Sequence, residues 1–172
     1  MIYKLNLDER WRSILGNQEL DPYMKDVELL LRLFAMLEWG NEYRPSMNRF
    51  LNRFAEHAKR TFDDSKIKRL HQIFDMFLAS LQKLQDNPFR SSSSGNRFSI
   101  ALFESAFVGC CEHLVNSDNG DTKPLTIENL QQLRESSKEY LQEGTTKQIN
   151  VNERLKIARE LLQVNEVVSK ID

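Results

Sequence analysis

Cysteine is nearly missing from this chain. The only two, Cys110 and Cys111, are adjacent in an apolar run, which excludes a disulfide framework and reads as a pair of buried thiols. An excess of one charge is missing too. With 24 Lys and Arg against 25 Asp and Glu, the net charge of -1 and the pI near 6.3 exclude a global pull toward nucleic acid or an anionic membrane. Any electrostatic partner must meet a local patch. No apolar run approaches the roughly 18 residues of a membrane span, and the first residues lack the basic-then-apolar order of a signal peptide. The expectation is a cytoplasmic protein without membrane contact. There is no glycine-rich phosphate loop, no serine nucleophile elbow and no His-Glu-x-x-His, which removes three familiar routes to chemistry. Alternation with a period of two is also lacking, as are repeats at solenoid periods.

What remains is helical patterning. A chain of 172 residues buries roughly two thirds of its unfolded surface as a single domain, 1–172, without a covalent staple. A short helix is expected over 8–15, stopped at Gly16. Asp21-Pro22 supplies an N-cap carboxylate and a first-turn proline for a central helix over 22–39 that ends at Gly40. That helix is apolar on nearly every face, as a buried helix is. It still carries Glu28 and Arg32 one turn apart, a pair that must be partnered or lie at a seam. After Arg44-Pro45, the residues Met47, Phe50, Leu51, Phe54 and Ala58 mark one apolar face. Asp63 or Asp64 caps a longer helix in which Ile67, Leu70, Phe74, Phe77, Leu81 and Leu84 repeat at the spacing of antiparallel bundle packing. Over 86–97 proline, glycine and a serine run offer no apolar face, and a mobile loop is expected there. A second central helix is expected over 98–115 and an amphipathic one over 126–142. The last helix should start near Asn150 or Asn152, with Val151, Leu155, Ala158, Leu161 and Leu162 on one side. The expected fold is all-α, a helical bundle of about six to seven helices with two buried central helices. Leu30, Phe34 and Phe103 belong to its core.

Chemistry is thin. Cys110-x-x-His113 has the spacing of half a zinc site, but its residues lie in an apolar helix and no second pair matches it. A calcium loop centred on Gly120 would begin at Val115 and end at Thr126, neither a carboxylate. No catalytic residue, metal or cofactor is expected. One charge feature is local: 44–69 holds eight basic and three acidic residues, and Arg49, Arg53 and Arg60 project together opposite the apolar face of their helix. A solvated face is the plainer reading, and a grip on DNA phosphates the sharper one. No aromatics interleave the arginines as they do in single-strand binders.

Several motifs run in order along the chain. They are Trp11-Arg12; Met24-x-Asp26-x-Glu28-Leu-x-Leu-Arg32-x-Phe34-Ala35; Tyr43; Phe50-Leu51-Asn52-x-Phe54; Phe89-Arg90; and Asn96-Arg97-Phe98-x-x-Ala101-Leu-Phe103-Glu104. The late segment Thr145-Thr-x-x-Ile-Asn-Val-x-x-Arg154 follows them. Together they resemble the helical C-terminal half of the bacterial GmrSD-type restriction domain family, the nucleotide-sensing part of anti-phage systems. In that family nucleotide chemistry is attributed to an Asp-Gly-Gln-Arg type motif in an N-terminal ParB/sulfiredoxin-like α/β half, commonly joined to an HNH-type nuclease. This sequence contains neither motif. The resemblance therefore implies the helical half alone, as a fragment, a split gene product or a degenerate relative, and hydrolase activity is not carried over with it. What it implies is a non-catalytic interaction module with Trp11, Glu28 and Arg32 at the seam and Arg90 and Arg97 flanking the mobile loop. Its partner is a protein carrying the missing α/β half, or a second copy in a homodimer. The alternatives are a DNA-binding helical domain using Arg49, Arg53 and Arg60, and a nucleotide hydrolase whose site the sequence hides.

Overall fold

The computed structural model of the protein describes residues 1–82, 84, 88–91, 97–117, 120 and 122–163. Helices hold 69% of the chain so described, about double the globular share, and the fold is all-α. Eight α-helices follow one another among the described residues: α1 (Ile2–Leu5), α2 (Glu9–Leu15), α3 (Lys25–Trp39), α4 (Met47–Thr61), α5 (Asp64–Ser80), α6 (Ile100–Cys111), α7 (Ile127–Ser136) and α8 (Gln148–Leu162). Two short strands, β1 (Arg90–Ser91) and β2 (Arg97–Phe98), pair antiparallel with Arg90 opposite Phe98. Most of the expected mobile stretch 86–97 lies outside the described residues. No described helix is long and apolar enough to cross a membrane.

Packing radiates from α6, in which every residue after Ile100 is buried. It lies against α8 and α3 and also touches α5 and α7. At the α8 contact a Cβ on Gly109 would meet the Ala158 carbonyl oxygen at 2.6 Å, so only glycine permits this approach. The second central helix, α3, buries Leu29, Leu30, Leu33, Phe34, Ala35, Met36 and Leu37 but leaves Glu28 exposed. Between these helices the core is largely aromatic. Phe103 meets Trp11, Phe77, Phe89 and Phe98, with ring centroids 4.7 to 5.6 Å apart. Leu30, Phe34 and Phe103 are all core residues, as the periodicity requires.

Several boundaries differ from expectation, each for a local reason. The carboxylate of Asp21 accepts from the amides of Tyr23 (2.8 Å) and Lys25 (3.4 Å), which makes 21–24 a turn and delays α3 by three residues beyond Pro22. The second central helix ends at Cys111 in a 3₁₀ turn, Glu112–Leu114, instead of running on to Val115. Helix α7 starts with a Thr126/Asn129 capping box but stops at Ser136, where the Ser137 hydroxyl donates back to the Leu133 carbonyl and competes with the helix ladder. The last helix starts at Gln148, before both asparagines, because the Asn150 amide donates backward to the carbonyls of Glu143 (3.0 Å) and Gly144 (3.1 Å).

Met24 sits just before α3 with φ 55, the left-handed region that costs a non-glycine residue about 1–2 kcal/mol. It is more than half exposed and buries little. Met24→Gly should therefore leave the protein as stable or raise its stability by about 0.5–1 kcal/mol. A thermal melt checks this, and a fall in melting temperature would show that the methionine side chain carries packing of its own.

Candidate functional site

Two buried polar networks and one open groove concentrate what the fold can offer a partner. The first network ties down the N-terminal segment. The Trp11 indole N–H donates to Asn6 Oδ1 (3.1 Å), and Asn6 Nδ2 donates to Asp26 Oδ2 (3.0 Å). That carboxylate oxygen also receives Arg12 (2.7 Å) and the Asp21 amide (3.1 Å), and Arg12 reaches on to the Glu19 carbonyl. Burial works to raise the pKa of Asp26, but the donors Asn6, the Asp21 amide, Arg12 and the Val27 amide outweigh it and hold the carboxyl down at about 2.

A depressed carboxylate stabilises the fold above its unfolded pKa, near 3.8, and loses that contribution as pH falls through its folded value. We expect roughly 1–2 kcal/mol of stability to disappear between pH 4 and pH 2. Urea midpoints for wild type and Asp26→Asn check it. The variant should be less stable at neutral pH and show a flatter acid limb, and identical limbs would mean that other carboxylates carry the acid dependence.

The second network is a buried triad. Glu104 on α6, wholly inaccessible, accepts from Arg32 of α3 on one carboxylate oxygen and from Arg154 of α8 on the other. Arg154 is equally inaccessible and also donates to the Thr145 carbonyl (2.5 Å). Tyr43 lies beside the cluster and donates to the Thr146 carbonyl (2.6 Å); burial pushes its pKa up against the opposing charge of Arg32 and, more weakly, Arg154, with Glu104 adding to the rise. The triad clamps three helices and keeps a spare positive charge inside. The expected pairing is corrected here, because Arg32, partly buried, is held by Glu104 and not by Glu28. Trp11 is corrected as well: it is fully buried among Phe74 and Phe103 and belongs to no surface seam.

The groove lies between α3 and α4, with α1 beside it. It encloses about 540 Å³ and is lined by Tyr3, Tyr23, Met24, Val27, Leu31 and Leu51, among others, with Glu28 on its wall. Tyr23 is 81% exposed and Tyr3 66%, so large apolar side chains stand at its rim. Sequence patterning missed this feature, because Pro22 hid 21–24 inside a helix; the dipeptide Tyr23-Met24 was its signal. A depression of the same volume lies between α2 and the end of α5, but it adjoins residues outside those described, and its cation, Arg10, is bound by Asp8 and Asp75.

The remaining expected residues scatter. Arg90 is half-buried and donates to the Leu15 carbonyl, so it is a structural tie rather than a free flank of the loop, whereas Arg97 is exposed on β2. Arg49, Arg53 and Arg60 are all exposed on α4. Glu56 falls in the same row and pairs with Arg60 at 3.8 Å, so the basic face is interrupted by a carboxylate. Cys110 and Cys111 are buried free thiols. Desolvation pushes Cys110 up to about 12 and Cys111 well above its ordinary value, which leaves neither a nucleophile. Among the described residues no three His, Cys, Asp or Glu side chains stand together to hold a metal ion. Comparisons with protein families, with characterised proteins and with solved structures find no match for the chain.

Proposed function

We propose that this chain is a non-catalytic helical interaction module of an anti-phage restriction system. In this reading it does the work of the helical half of a GmrSD-type domain and docks a partner that carries the nucleotide-handling half. The observation that carries the reading is where apolar surface is left open. Of the eight large hydrophobic side chains exposed among the described residues, five (Tyr3, Leu7, Leu20, Tyr23 and Met24) fall within the first 24 positions, and three of them line the groove. Clustered apolar exposure of this kind marks an interaction site. Tyrosine and methionine are moreover favoured at the centre of protein interfaces. Support for the family reading comes from convergence. Trp11, Arg12, Asp26, Arg32, Glu104 and Arg154, all in the motifs that carry the resemblance, meet in the two buried networks.

A second reading, binding of DNA, draws on Arg49 and Arg53, which are exposed and make no ion pair among the described residues. Affinity purification of the tagged chain from its native cells separates the two. The interaction module should retain a stoichiometric protein that carries an Asp-Gly-Gln-Arg type motif, and it should lose that protein in Tyr23→Ser/Met24→Gly but keep it in Arg49→Glu/Arg53→Glu. Recovery of DNA with a steep salt dependence, lost in the arginine double variant, would favour the second reading. Nucleoside triphosphate turnover by the purified chain with magnesium or manganese would contradict a non-catalytic role.

A further inference from the structure

We infer that the groove between α3 and α4 seats one α-helix of a partner protein, which brings a lysine or arginine to Glu28. This rests on the reading of that groove as the docking surface and names what fills it. Both walls are helical. Val27, Glu28 and Leu31 stand at i, i+1 and i+4 on one face at the start of α3, with Met24 in the turn just before it. Asn48, Leu51, Asn52 and Ala55 stand at i, i+3, i+4 and i+7 along α4. The α3 wall is thus a helical stripe of about one turn and the α4 wall one of two turns, about 10 Å long. A trough between two such stripes is the shape into which a third helix lays its own i, i+3 or i+4, i+7 anchors.

The shape also selects against the alternatives. A concave trough needs a convex occupant, so two copies joined by a two-fold through this surface would set one hollow against another. No sheet edge borders the groove for an extended peptide to join, since the two strands among the described residues belong to another part of the chain.

Charge fixes the polarity of the occupant. Glu28 is the only charged residue lining the groove, and its carboxylate makes no ion pair or hydrogen bond among the described residues. Both cations near it on α3 are engaged elsewhere. Arg32, one turn later, is held by Glu104, and the Lys25 ammonium, one turn earlier, lies 5.8 Å from the centre of the Tyr23 ring. An exposed carboxylate set in an apolar wall is complementary to a cation carried between two apolar anchors. Asn48 and Asn52 line the facing wall and add polar side chains there.

The test uses the full chain and two synthetic amphipathic helices. One has leucine at i, i+4 and i+7 with lysine at i+3; its twin has glutamate at i+3. Titration calorimetry should show the lysine peptide binding wild type about fivefold more tightly than its twin, with the order reversed in Glu28→Lys, an exposed position where the fold tolerates the change. Met24→Gly should weaken both peptides. If both bind equally to wild type and to Glu28→Lys while Met24→Gly still weakens them, the groove docks a partner but the cation is wrong, and this inference falls alone. If neither peptide binds, or Met24→Gly changes nothing, the helix-in-groove assignment falls. A concentration-dependent dimer that Met24→Gly makes monomeric would assign the groove to a second copy and overturn the inference.

Discussion

Glu104→Ala is expected to cost the protein about 3–5 kcal/mol, enough to unfold it at moderate temperature. Glu104 is wholly buried and is the only carboxylate among the described residues bound to either Arg32 or Arg154. Its removal leaves two guanidinium groups close together in low dielectric, with Arg154 unable to reach water. The cost arises from uncompensated charge and not from lost packing volume. A triple replacement, Arg32→Met with Glu104→Leu and Arg154→Met, should therefore recover most of the stability, since such clusters contribute little net energy when replaced as a unit. Arg32→Glu would set two carboxylates against each other and should unfold the chain rather than loosen an assembly. Urea denaturation followed by circular dichroism measures all three. A loss under 1 kcal/mol for Glu104→Ala would mean that water enters the cluster.

Phe103→Ala is the second large effect, at about 3–5 kcal/mol, because a phenylalanine cavity in a core rarely collapses fully. The upper end applies here. Phe103 touches four other rings, those of Phe77 and Phe89 edge-to-face, and each such edge-to-face contact adds roughly 0.5–1.5 kcal/mol beyond area burial. Leu30→Ala and Phe34→Ala should each cost about 2–5 kcal/mol by the same route, since both side chains are essentially inaccessible. Losses well below 1 kcal/mol at all three sites would place the core elsewhere.

Local chemistry was legible and long-range pairing was not. The stop at Gly16, which lies in the left-handed region, and the Asp63 cap of α5 follow from residues within four positions of each helix end. The buried faces of α4 and α5 follow from a 3.6-residue period. Helical spacing brought Glu28 to Arg32 because both lie on one helix, yet the better partner, Glu104, is 72 residues away and becomes a neighbour only when α6 packs on α3. Trp11 has a polar atom that suits a surface, and only the fold reveals that Asn6 satisfies it in the interior. The groove shows the same limit. Its two stripes can each be read in the sequence, but their juxtaposition is a property of tertiary packing. In addition, Tyr23 and Met24 stay exposed only because Asp21 bonds the amides of Tyr23 and Lys25 and so fixes the turn outside α3.

The most direct test is to place a photo-reactive amino acid at Tyr23, and separately at Arg53, in the full chain inside its native cells. A docking groove gives one protein adduct of defined mass from position 23, with the cross-linked peptide mapping to a basic amphipathic helix, and no comparable protein adduct from position 53. Nucleic-acid adducts from position 53, with none from position 23, would contradict the interaction-module reading and move the function to the arginine face.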